Sequence, residues 1–178
     1  MLMTIEERVK SKIVEVNDFP IDGIKFKDIT PILADPVLVH DIVGHLAECY
    51  RDMEIDAIAG IESRGFWFGV QIARQMGIPF IPIRKEGKLP RETVVHAYAL
   101  EYGTNSMEAH VDSVKPGWNV LIHDDLLATG GTAASSGEII HMLRGTVAGY
   151  SFLVNLTFLN GVEKLKGYSG KIHSLVEY

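Results

Sequence analysis

The spacing of apolar positions changes several times along the chain, and each change marks an element. Ile5, Val9, Ile13 and Val16 recur at helical intervals behind a capping box of Thr4 and Glu7, which predicts a first helix ended by Asn17-Asp18-Phe19-Pro20. The turn-rich stretch IDGIKFKDITP follows. Asp35-Pro36 opens a second helix, with proline at its first position, running through VLVHDIVGHLAECYRDM. DAIAGI is a short apolar run suited to a buried strand. After ESRG, a helical period extends from Phe66 to about Met76 and closes at Gly77, and IPFIPIRK returns as a strand. This order of strand, loop, helix and strand implies parallel strands joined by a right-handed crossover.

Between Glu86 and Pro116 the period drops to two. TVVHAYALEY and SMEAHVD alternate apolar and polar residues, as half-exposed antiparallel strands joined through Tyr102-Gly103-Thr104-Asn105 would. Few residues there look able to anchor the pair, so residues 86–115 read as a mobile hood. After the turn Lys115-Pro116-Gly117-Trp118 comes a second unit: strand NVLIHD, loop DLLATGG, a helix from about Thr132 to Arg144, and strand VAGYSFLVNL. HSLVEY is a final strand. With no internal repeat, low-complexity tract or linker, residues 1–178 read as one α/β domain: a twisted, mostly parallel sheet flanked by helices, with a small antiparallel hood.

Composition narrows the function classes. A chain of 178 residues with 47% hydrophobic content can bury a sizeable core. A formal net charge of −6 argues against general affinity for nucleic acid or an anionic membrane, while leaving room for a local basic site. The opening MLMTIEERVKSKIVEV has no signal-peptide apolar core, and no stretch reaches the roughly 18 apolar residues of a membrane span. Cys49 is the only cysteine, so neither an intrachain disulfide nor a cysteine-built zinc site is expected, and a cytoplasmic location fits. His40 and His45 share a helix but show no metal-ligand spacing with a third partner, and no direct protein ligand to a metal is expected.

The most informative stretch is VLIHDDLLATGGT, Val120 to Thr132. Ligands bind at the carboxyl ends of strands in open parallel sheets, where such a loop would lie. Ala128, Thr129, Gly130, Gly131 and Thr132 can present backbone N–H groups to a phosphate, and the following helix adds its positive end. Asp124 and Asp125 would repel a phosphate in direct contact. They suit ribose hydroxyls or the waters of a magnesium ion instead. Together these features suggest a phosphorylated ribose with its 5′-phosphate in the loop. Neither a G-x-x-x-x-G-K-[ST] loop nor a G-x-G-x-x-G after a strand is present.

This string closely resembles the phosphoribosyl-pyrophosphate signature of the type I phosphoribosyltransferases. FPIDGIKFKDITP (Phe19–Pro31), GIESRGFWFG (Gly60–Gly69), and IRKEGKLP with YALEYG between Ile83 and Gly103 narrow the resemblance to the adenine branch, over nearly the whole chain. The resemblance implies a purine-salvage transferase, homodimeric, converting adenine and phosphoribosyl pyrophosphate to AMP and pyrophosphate with Mg2+. By position, it implies that Ala128 through Thr132 hold the 5′-phosphate and that Asp124 and Asp125 face the ribose. Glu62, Ser63, Arg64 and Gly65 would form the pyrophosphate loop, where relatives often carry a non-proline cis peptide. Arg84 and Lys88 would add pyrophosphate contacts, with Arg84 a candidate to reach the neighbouring subunit. Phe26 and Leu126 would sandwich adenine, and backbone atoms of Lys25 and Lys27, within a base-binding segment 17–33, would read its edge. Glu101 and Tyr102 would sit on the hood, with Glu101 handling the proton on the imidazole side of the base. Two positions depart from the family pattern. Lys27 stands where many relatives carry arginine. His123 replaces an aliphatic residue, as a satisfied core histidine or as a contact to the ribose site through its neighbours.

Overall fold

The computed structural model describes residues 3–99 and 104–178, and its backbone divides into two compact units, Met1–His45 and Leu46–Tyr178. In the first, α1 (Ile5–Lys12) carries the expected capping box: the Thr4 hydroxyl accepts from the Glu7 N–H at 3.2 Å and the Glu7 carboxylate accepts from the Thr4 N–H at 2.8 Å. The helix then stops short of Val16. Val14–Asn17 is a strand, β1, antiparallel to β2 (Lys25–Asp28), with Val16 opposite Phe26. Valines at alternate positions favour extended chain, and Glu15 gains Lys27 at 2.6 Å and Lys25 at 3.3 Å across the ladder, so pairing overrides the helical period. The short helix α2 (Thr30–Leu33) ends the stretch that reads as all turn. Asp35 accepts from the Leu38 N–H at 3.0 Å at the start of α3 (Pro36–Glu48). That helix ends before Met53, because the chain turns to bury Tyr50, whose hydroxyl donates to the Tyr150 carbonyl at 2.7 Å.

In the second unit seven strands form one sheet: β3 (Ala57–Ile61), β4 (Phe80–Lys85), β5 (Thr93–Ala99), β6 (Thr104–His110), β7 (Asn119–Leu127), β8 (Thr146–Asn155) and β9 (Ile172–Glu177). Their order is β5-β6-β4-β3-β7-β8-β9. The five strands from β4 to β9 in that order are mutually parallel, and β6 runs antiparallel to both β4 and β5. β3 is buried along its whole length, which explains its continuous apolar run. α4 (Gly65–Met76) stops at Gly77, whose positive φ of 70° ends the helix with a left-handed residue. α5 (Gly131–Met142) follows β7, and a 3-10 turn (Thr157–Leu159) and short helix α6 (Gly161–Leu165), both absent from the sequence reading, follow β8. Among the described residues, no helix is long and apolar enough to cross a membrane.

Two expectations need correction here. β7 extends through Leu127, which pairs with Asn155 of β8, so Asp125, Leu126 and Leu127 continue the strand that already holds Asp124 and do not lie in the loop. The hairpin is also better anchored than its composition suggests. Met107 and Ala109 of β6 and Val114 beyond it belong to the main hydrophobic core. On β5, His96 Nδ1 lies 3.0 Å from the Ser135 hydroxyl of α5. The hairpin is thus the edge of the sheet.

Candidate active site

At the carboxyl ends of β3, β4 and β7 lies a cleft of about 390 Å³, bordered by Glu62, Ser63, Arg64, Lys85, Tyr98, Asn105, Asp124, Asp125 and Thr132. The loop after β7 passes directly into α5. Gly130 has φ +76°, and a Cβ there would stand 2.6 Å from the Gly161 carbonyl oxygen. A Cβ on Gly131 would meet the Tyr98 ring at 3.3 Å. The loop backbone is therefore held between α6 and β5, with no room for larger residues on either side. A smaller cavity of about 90 Å³ is lined by the loop itself, Ala128 through Thr132, at the positive end of α5. All five predicted phosphate-loop residues come together.

The two aspartates differ. Strand alternation leaves Asp124 half-buried at the cleft and turns Asp125 inward, to 2% exposure. Asp125 Oδ2 lies 3.1 Å from Arg64 Nε, so the reading of both carboxylates as open to ribose or water is corrected: Asp125 is committed to an ion pair. Burial pushes both carboxyl groups above the usual carboxylate range. The charge of Asp125 adds to the effect on Asp124, and Arg64 opposes it on both. The site is short of positive charge.

Glu62, Ser63, Arg64 and Gly65 carry the chain from β3 into α4, and the Glu62–Ser63 peptide is cis. A Cβ on Gly65 would fall 2.8 Å from the His123 carbonyl and 3.0 Å from Asp124 Oδ1, so glycine here lets the turn pack against the end of β7. Glu62 accepts from Arg84 Nε at 2.8 Å and from the Lys85 N–H at 3.2 Å. Arg84 Nη1 also donates to the Lys88 carbonyl at 3.1 Å. Arg84 is thus tied within its own chain, and the Lys88 side chain stands on an exposed turn.

The sequence reading missed the group that holds that turn. Glu108, 3% exposed, accepts from the N–H groups of Lys88 and Leu89 at 2.8 Å each and from the Thr93 hydroxyl at 3.1 Å. Burial alone would raise its pKa, but these donors hold it below the usual range. Tyr98 and Gly161 were missed as well. The alternation of β5 put His96 and Tyr98 on one face, but nothing local pointed to α5 as that face's partner.

Phe26 lies half-buried on β2 in the first unit, 5.1 Å from Phe19 between ring centroids in an edge-on arrangement. Lys25 and Lys27 direct their ammonium groups to Glu15. Leu126 is half-buried on β7 in the second unit. Glu101 and Tyr102 lie outside the described residues. His123 is a core histidine but only half satisfied: its ring is buried, with Nδ1 3.2 Å from the Ser151 hydroxyl and Nε2 without a hydrogen-bond partner among the described residues, and burial lowers its pKa to about 3.

A parallel sheet whose carboxyl end carries a phosphate-sized loop on a helix start, next to paired aspartates, defines a protein that handles phosphorylated ribose. The phosphoribosyl transferase domain family matches residues 28–150. The chain is 53% identical to adenine phosphoribosyltransferase of Cytophaga hutchinsonii over 98% of its length and 96% of that protein's, and 50% identical to that of Nitrosococcus oceani over 97% and 99%. The crystal structure of adenine phosphoribosyltransferase from Thermoanaerobacter pseudethanolicus superposes with a TM-score of 0.94 at 47% identity, covering 98% of this chain and 100% of that one. The Saccharomyces cerevisiae enzyme, complexed with an imino-altritol bisphosphate and adenine, gives 0.90 at 37%, covering 96% and 98%. The chain belongs to the adenine phosphoribosyltransferases, enzymes of purine salvage that convert adenine and phosphoribosyl pyrophosphate to AMP and pyrophosphate.

Proposed function

We propose that the cleft divides the work of this transfer among its loops. Ala128 through Thr132 bind the 5′-phosphate with backbone N–H groups and the Thr129 and Thr132 hydroxyls. Asp124 orients the ribose hydroxyls, and Asp125 holds Arg64 toward the leaving group. Glu62, Ser63, Arg64 and Gly65, with Arg84 and Lys88, form the pyrophosphate side. Phe26, Leu126 and the backbone of Lys25 and Lys27 select adenine. The observation that carries this reading is one cleft of about 390 Å³ bordered at once by Glu62, Ser63 and Arg64, both aspartates and Thr132.

The bond from the anomeric carbon to pyrophosphate breaks as the bond to adenine N9 forms, and the base loses a proton. The transition state resembles an oxocarbenium ion, so positioning, charge neutralisation and exclusion of water lower the barrier. Glu101 takes the proton from the imidazole side, with Tyr102 next to it in sequence, and the hairpin, seated in the core through β6, shields the reacting sugar from water.

The donor set fits magnesium: oxygen ligands only, with two carboxyl groups that burial has left short of positive charge. Bound with the substrate, magnesium would neutralise charge on the leaving pyrophosphate, and Asp124 would hold its waters while Asp125 keeps Arg64 in place. A homodimer accompanies the reading, supported by the resemblance. The cytoplasmic location is supported by an exposed free thiol at Cys49, which suits a reducing compartment.

The test is AMP formation from labelled adenine, phosphoribosyl pyrophosphate and magnesium, with hypoxanthine and guanine run in parallel. Adenine should be preferred by at least about a hundredfold in kcat/KM, because unpaired polar groups in a base pocket are costly. Comparable use of hypoxanthine would overturn the base assignment.

A further inference from the structure

We propose that Tyr98 is a positioning residue that transmits occupancy of the 5′-phosphate loop to the β5–β6 hairpin through the hydroxyl of Thr132. The proposal rests on the assignment of residues 128–132 to the 5′-phosphate.

Tyr98 lies on β5, half-buried and bordering the cleft. Its hydroxyl is 2.7 Å from Thr132 Oγ1, and its ring packs where a Cβ on Gly131 would be, at 3.3 Å. In the free protein either hydroxyl can donate in this pair. A phosphate removes the choice. It only accepts, so a Thr132 hydroxyl that donates to it must itself accept from Tyr98. The chain then runs Tyr98 O–H to Thr132 O–H to phosphate oxygen. Successive hydrogen bonds of this kind polarise and strengthen one another. No proton is transferred; only the direction of donation is set.

The mechanical consequence follows from where Tyr98 stands. β5 touches α5 at two successive inward positions, through the His96 and Ser135 side chains at 3.0 Å and through Tyr98 and Thr132 at 2.7 Å. Of these, only the second includes a residue of the phosphate loop. Tyr98 is also the inward position nearest the end of β5, three residues before Glu101 along the chain. Binding of the phosphate thereby steadies the strand from which the proposed proton-handling carboxylate follows. The sugar phosphate prepares the hairpin before the base reacts.

Tyr98→Phe keeps the ring over Gly131 and removes only the hydroxyl. Ribose 5-phosphate and pyrophosphate serve as separate probes of the two anion positions, with calorimetric Kd measured for wild type, Tyr98→Phe, Thr132→Val, Thr132→Ser and the Tyr98→Phe/Thr132→Val double variant. Tyr98→Phe should weaken ribose 5-phosphate about five- to tenfold and leave pyrophosphate unchanged. It should add nothing in the Thr132→Val background, whereas Thr132→Ser should retain most of the affinity. Hydrogen exchange in residues 93–98 should slow on adding ribose 5-phosphate to wild type but not to Tyr98→Phe. Equal weakening of both ligands would make Tyr98 a general structural prop and overturn the relay. If Thr132→Val weakens ribose 5-phosphate and Tyr98→Phe does not, the loop assignment stands and the relay falls. If Thr132→Val has no effect either, the Thr132 hydroxyl does not meet the phosphate and the relay falls; if ribose 5-phosphate does not bind the wild type, the loop assignment itself fails.

Discussion

The phosphate loop and the hairpin border the same cleft but are held by different physics. The loop is shaped by its main chain: Gly130 in a left-handed conformation, Gly131 under the Tyr98 ring, and Gly161 bracing from α6. The hairpin is held by Met107 and Ala109 of β6 in the core and by polar side chains reaching across the sequence: Glu108 to the 88–89 turn and Thr93, His96 to Ser135, Tyr98 to Thr132. A loop held by its backbone should tolerate almost no change of shape. A strand pair seated in the core and tied down by separate side-chain hydrogen bonds should lose those bonds one at a time.

The largest effect should come from Gly130→Val. The substitution forces a β-branched residue to φ +76° and drives its Cβ into the Gly161 carbonyl, 2.6 Å away. Stability should fall by about 3 kcal/mol or more, and kcat/KM by about a hundredfold or more. Chemical denaturation and steady-state kinetics check both. A variant within about 1 kcal/mol of wild type would mean that the loop adapts as easily as the hairpin.

Glu108→Gln comes next. The amide keeps the shape but replaces one accepting oxygen with a donor, opposite either two backbone N–H groups or the Thr93 hydroxyl. The expected cost is about 2 kcal/mol, with faster hydrogen exchange at residues 87–89 and little change at 128–132. Because its folded pKa is lowered, the Glu108 contribution should be present above the unfolded value near 4.5 and be lost as pH falls through the folded one. Spread of the exchange effect into the phosphate loop would show that the two regions are one cooperative unit.

His123 gives the smallest effect near neutral pH, and it lies beneath the loop side of the comparison. Its folded pKa of about 3 lies below the ordinary 6.5, since burial disfavours the charged ring. The unfolded chain takes up a proton first, so this histidine should cost the protein about 1 kcal/mol of stability for each pH unit below 6.5. Asp124 and Asp125, the titratable neighbours along β7, act with the opposite sign because their pKa values are raised. The comparison is therefore between wild type and His123→Leu. The two should converge above pH 7 and separate in favour of leucine toward pH 5, measured by denaturant unfolding. Parallel curves would mean that the ring is protonated or hydrated in the folded state.

What could be read without the structure was whatever a short segment specifies alone. The strand–loop–helix order, the capping box at Thr4, the stop at Gly77 and the phosphate loop each follow from local spacing, cap chemistry or glycine placement. The parallel α/β class, the candidate loops and, through their motifs, the family are legible in the order of residues alone. Where β1 replaced the end of the first helix, cross-strand pairing with β2 outweighed a helical period that was also present. It took the packed sheet to turn Asp125 inward to Arg64, to give Arg84 to Glu62 and to bring Tyr98 to Thr132. Each of those contacts depends on which strand lies next to which and on which face a residue occupies. A single β-strand carries the alternation but not the identity of its partner, because that partner lies far off in sequence, as Ala57 and Val120 do, and is chosen by the packing of the whole sheet.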